Sequence, residues 1–89
     1  MNQLSIHNPA TGALITQLPA DDAASVATKA AVARMAQPRW AAAPMAHRKD
    51  CISRFREAIV AQLDSLAATM TAETGKPIKM SRNELNGLL

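Results

Sequence analysis

Aromatic side chains are almost absent from these 89 residues: one Trp, one Phe and no Tyr. That excludes modules that read nucleic acid by stacking bases on aromatic platforms. Cysteine is reduced to Cys51, so no internal disulfide can form, a usage that suits a reducing compartment. Glycine stands at three scattered positions, 12, 75 and 87, too dispersed for a loop that cradles phosphates through its backbone. No apolar run approaches the ~18 residues that mark a membrane-spanning helix. The N-terminus has neither a basic leader nor an apolar one, and the chain reads as soluble and cytoplasmic. Neither sign of charge dominates, since ten Lys and Arg against seven Asp and Glu leave a formal +3. The basic residues gather in His47 to Arg56, with Arg48, Lys49, Arg54 and Arg56. Asp50 and Glu57 interrupt them, as on the solvated face of a helix rather than on a phosphate-binding stripe.

What is present is mostly small and apolar. Hydrophobic residues make up 48% of the chain, but 19 of the 43 are Ala. The remainder builds a thin core. A chain of this length buries only about 60–65% of its unfolded surface, so such a core is marginal when it stands alone. The expected fold class is mostly α with a short N-terminal β-hairpin.

The hairpin is expected over residues 3–19. Leu4 and Ile6 alternate with polar neighbours, Asn8-Pro9-Ala10-Thr11-Gly12 supplies turn residues, and Leu14, Ile15 and Leu18 form a second extended run that Pro19 stops. A lone two-stranded hairpin needs a surface to lie against. An Ala-rich helix follows over residues 21–37, capped by Asp21 or Asp22 and ended by Pro38. Its inward stripe is Ala23, Val26, Ala27, Ala30 and Ala33, mostly methyl groups that bury little area and so require a large partner. Gln37 to Pro44 is expected to be a connector, with Trp40 packing it onto the body. The strongest signal is an amphipathic helix over residues 45–74. Ile52, Phe55, Ile59, Leu63, Leu66 and Met70 recur at spacings of three and four and form one apolar seam. Asp64-Ser65 can cap a restart, so one helix and two helices with a break near residues 62–65 are both compatible with the pattern. Gly75 suits the end of that helix, and Pro77 suits the first turn of a third over residues 77–89. That helix stops in mid-pattern at Leu85, Leu88 and Leu89, and the sequence reads as interrupted there.

The residues able to carry chemistry do not assemble into a catalytic pattern. A nucleophilic thiol needs a helix N-terminus, a cation or a paired histidine. Cys51 has Arg48 and Lys49 nearby and His47 one helical turn away. It also lies inside a strongly patterned helix, where a buried or half-buried structural cysteine is the favoured reading. His7 and His47 make no metal site with Cys51 at any usual spacing, and the acidic residues offer no framed pair. Thr74-Gly75-Lys76 lacks the upstream glycine and the following Ser or Thr of a phosphate loop. No catalytic, cofactor-binding or metal-binding residue is assigned.

Taken in order, several stretches resemble the N-terminal segment of the aldehyde dehydrogenase superfamily. Ile6-His7-Asn8-Pro9-Ala10-Thr11-Gly12 is similar to that family's Asn-Pro-Ala-Thr-Gly turn between its first two strands. The Ala-rich helix after Asp22, Trp40 in a Pro-bounded stretch and Arg48 early in the amphipathic helix follow in the family's order. Glu73-Thr74-Gly75-Lys76-Pro77 looks like its Glu-Thr-Gly-Lys-Pro boundary before the next helix. The resemblance implies the outer part of an α/β, Rossmann-type cofactor-binding domain in a parent several hundred residues long. Such a parent oxidises an aldehyde to an acid through a cysteine thiohemiacetal and hydride transfer to NAD or NADP, and it oligomerises. The family's nucleophile, general base, oxyanion residue and cofactor motifs lie beyond the matched stretch, and Cys51 is not the nucleophile. Some relatives hold a monovalent cation on backbone carbonyls that would fall at Ile6 and His7, but carbonyl ligation leaves no side-chain signature and assigns nothing here.

The expected role is therefore structural, with the remainder of the parent as partner. NAD binding by residues 1–89 alone is not expected, and neither nucleic acid nor membrane is expected as a partner. Two other readings stand beside this one. A small helical module could self-associate through the seam from Ile52 to Met70. A basic helical binder of nucleic acid would use Arg48, Lys49, Arg54 and Arg56.

Overall fold

The computed structural model describes residues 2–89. It is mostly helical, with one antiparallel hairpin at the N-terminal end. Strand β1 (Gln3–His7) pairs with β2 (Leu14–Pro19). Four helices follow: α1 (Ala23–Ala42), α2 (Met45–Ala61), α3 (Leu63–Thr74) and α4 (Ile78–Gly87).

Local chemistry accounts for the hairpin. Leu4 pairs with Leu18 and Ile6 with Thr16, and the register then shifts so that His7 faces Leu14 with Ile15 as the extra residue. The connecting turn is built around Asn8. Its Oδ1 accepts from the Ala10 N–H at 2.8 Å and from the Thr11 N–H at 3.3 Å. Its carbonyl accepts from the Gly12 N–H at 2.7 Å. Gly12 takes a φ of +75°, the left-handed conformation that glycine reaches without a Cβ penalty.

Helix α1 opens on a reciprocal cap. The Ser25 N–H donates to Asp22 Oδ1 at 2.8 Å, and the Asp22 N–H donates to Ser25 Oγ at 2.9 Å, so two otherwise unpaired donors are satisfied together. Asp22, not Asp21, is the capping residue. Asp21 instead accepts from Lys29 Nζ at 2.8 Å.

The C-terminal end of α1 corrects the sequence expectation. The helix does not stop at Pro38 but continues through it to Ala42, and Trp40 lies in the last helical turn rather than in a connector. A proline inside a helix removes one backbone donor and crowds the preceding turn. Here it falls within a short Ala-rich end whose residues favour helix strongly. The chain breaks instead at the second proline. Pro44 forces the preceding Ala43 into an extended conformation, with ψ of 146°.

Between α2 and α3 the backbone leaves helical geometry at Gln62 alone, with φ of −114° and ψ of 17°. The seam is thereby shared between two helices. Gly75 ends α3 in the left-handed region, φ +78°, and its N–H donates to the Thr71 carbonyl at 3.0 Å. Pro77 lies just outside α4 as its capping residue, one position earlier than a first-turn proline would stand.

The fully covered residues all belong to the α3–α4 pair: Ala67, Ser81 and Leu85. Small residues let these helices approach closely, and the buried Ser81 hydroxyl is satisfied by Thr71 Oγ1 at 2.8 Å. Neither α1 nor α2 has a buried residue. The Ala stripe of α1 is exposed throughout. In the seam, Ile59, Leu63 and Met70 are half-buried, whereas Ile52 and Phe55 remain 62% and 64% exposed.

The overall dimensions match this uneven packing. The radius of gyration is 17.2 Å, against about 12 Å for a compact domain of this length. The accessible surface is 7005 Å², whereas a folded monomer of this mass exposes about 5,000 Å². The difference, roughly 2,000 Å² on this one chain, exceeds the about 800 Å² that each partner contributes to a standard protein interface.

Candidate functional site

Two motif-bearing turns that are distant in sequence meet in space. An added Cβ on Gly75 would stand 3.2 Å from Pro9 Cγ, so the Asn8–Gly12 turn lies against the turn that joins α3 to α4. Around Gly75 the backbone is held by side chains. Thr74 Oγ1 donates to the Met70 carbonyl at 2.6 Å and accepts from the Lys76 N–H at 3.3 Å. Lys76 then pairs with Glu84 on α4. This arrangement positions the hairpin on the helices.

A second cluster surrounds Cys51, which is half-buried. Its Sγ lies 3.6 Å from His47 Nε2 and 3.5 Å from the Nη2 of Arg54. Arg54 also pairs with Asp50 at 3.1 Å, an i,i+4 pair on the helix surface. On its other side, His47 meets the Trp40 ring edge-on, with centroids 6.3 Å apart. Trp40 thus joins the end of α1 to the start of α2, and an open apolar groove lies beside it, lined by Val32, Met35, Ala36, Arg39 and His47.

Arg54 is held by Asp50, Arg48 Nε donates to the Ala43 carbonyl and Arg56 Nε donates to the Leu89 carbonyl. His7 lies on β1 and His47 on α2. Among the described residues no group of three or more His, Cys, Asp or Glu is placed to hold a metal ion. No helix among them is long and apolar enough to cross a membrane.

The residues present do not fit a dinucleotide. A pyrophosphate is bound at a strand-to-helix turn where glycine lets the backbone approach and free N–H groups point at the anion. Among the described residues the strand-to-helix passage runs from β2 into α1 through Ala20, Asp21 and Asp22. Its helix N-terminus is already capped by the Asp22 carboxylate. Hydrogen bonding from the Ser25 backbone and side chain lowers the Asp22 pKa. The Lys29 ammonium, helped by Ser25, does the same for Asp21. Two carboxylates therefore stand where phosphate charge would have to sit.

Comparison with known proteins gives the class directly. Residues 1–89 match the model of the aldehyde dehydrogenase family. Over 83 residues the chain is 36% identical to N-succinylglutamate 5-semialdehyde dehydrogenase of Novosphingobium aromaticivorans, covering 93% of this chain and 17% of that protein. It is 35% identical over 78 residues to 5-carboxymethyl-2-hydroxymuconate semialdehyde dehydrogenase of Escherichia coli, with 88% and 17% covered. It is 32% identical over 83 residues to a probable succinate-semialdehyde dehydrogenase [NADP(+)] of Sinorhizobium fredii, with 93% and 17% covered. No solved structure matches the chain. The chain belongs to the aldehyde dehydrogenase family, as an N-terminal segment, and spans 17% of the length of these relatives. The motifs that carry the resemblance, Asn8–Gly12 and Glu73–Pro77, are the two turns that touch.

Proposed function

We propose that these 89 residues form the N-terminal outer layer of the Rossmann-type cofactor-binding domain of an NAD(P)-dependent aldehyde dehydrogenase, with a structural role and no chemistry of their own. The observation that carries this reading is the roughly 2,000 Å² of accessible surface beyond that of a self-sufficient monomer. Helix α1 has no buried residue, and Ile52 and Phe55 of the seam stay exposed among the described residues. The remainder of the parent enzyme is the partner that fits them. The parent oxidises an aldehyde, and the relatives named above make a semialdehyde the first substrate class to test. The groups that perform the oxidation and hold the cofactor lie outside this segment, as the carboxylate-blocked turn before α1 supports. A cytoplasmic, homo-oligomeric parent completes the proposal.

A chimera tests it. Residues 1–89 replace the matched segment of the Novosphingobium aromaticivorans enzyme, and the same chain is also prepared alone. The chimera is expected to remain folded and to oxidise its semialdehyde, while the isolated chain neither turns over aldehyde nor binds NAD or NADP saturably at micromolar concentration. A chimera that fails to assemble, or micromolar cofactor binding by the isolated chain, overturns the proposal. A second reading, self-association of the isolated chain, is favoured by the exposure of Ile52 and Phe55 on α2. A folded monomer in sizing experiments removes it.

A further inference from the structure

We draw no further inference here: the strongest candidate, the open apolar groove between the end of α1 and the start of α2 beside Trp40 and the Cys51–His47 contact, is an unpartnered face, and nothing in the structure shows what covers it.

Discussion

Helix α1 and the α3–α4 pair differ in material and reach different states. Ala makes up nine of the 20 residues of α1 and three of the 12 of α3, with none in α4, yet α3 and α4 bury Ala67, Ser81 and Leu85 while α1 buries none of its residues. The difference lies in what joins them to a neighbour. Gly75 and Pro77 reverse the chain within three residues, so α3 and α4 face each other, and Thr71 and Ser81 satisfy one another at the contact. Helix α1 is followed by a proline corner at Ala43 and Pro44, beyond which α2 begins at Met45. A stripe of methyl groups contributes stability only where another surface comes close enough to touch it. The α3–α4 turn supplies that surface locally, whereas no residue of α1 is buried against another element.

The sharpest way to break this contrast is Leu85→Ala. Leu85 is 7% exposed, so its truncation leaves a cavity in the one packed region. A loss of about 2–4 kcal/mol is expected, read as a lower denaturation midpoint. An unchanged midpoint would mean that α3 and α4 do not form the stable unit. Gly75→Ala comes next, because it places a Cβ 3.2 Å from Pro9 at a φ of +78°. The backbone penalty alone is about 1–2 kcal/mol. Loss of hairpin protection in amide exchange should accompany it, because the same glycine seats the Asn8 turn.

Acid sharpens the comparison from the side of α1. Its first turn rests on Asp22, whose pKa is lowered by hydrogen bonding to Ser25, with Asp21 lowered by Lys29 alongside. A carboxylate with a depressed folded-state pKa stabilises the helix fully above its unfolded value of about 4 and loses that effect as pH falls through the folded value. Helical circular dichroism from α1 should therefore decline below about pH 4, and Asp22→Asn should flatten that decline. The buried α3–α4 contact is made by Ala67, Leu85 and the Thr71–Ser81 hydroxyl pair, none of which titrates in acid, and should hold its structure further into acid. The smallest effect is expected from Met35→Ser on the outer face of α1, where Met35 is 80% exposed. In the isolated chain the stability change should stay within about 0.5 kcal/mol. In the chimera the same substitution should reduce folded yield if the parent covers that face. Equal, negligible effects in both would show that α1 stays in water.

Much of the fold was legible because its signals are local. The Asn8–Gly12 turn, the cap before α1, the apolar periodicity of α2 and α3 and the glycine at position 75 depend on residues within a few positions of one another. Two features escaped for the same reason in reverse. Pro38 reads as a helix end when its own geometry is considered alone, but the surrounding Ala residues and the later Pro44 move the break to Ala43. Ser81 carries no sequence mark of burial, since only the approach of α3 encloses it and only Thr71 satisfies its hydroxyl. The cluster around Cys51 was half legible. The i−4 spacing places His47 beside the thiol, whereas the side-chain conformation of Arg54 decides that it bridges Asp50 and Cys51.

The sequence by itself determined the element types, the turn chemistry and the motifs that place the chain among aldehyde dehydrogenases, because each is a property of short stretches of backbone and side chain. Tertiary structure alone decided which apolar faces meet. It brought Pro9 against Gly75, enclosed Ser81 between two helices and left α1 and half of the α2 seam facing solvent. Periodicity specifies a face to be covered, but the orientation of each helix relative to its neighbours decides whether anything within the chain covers it.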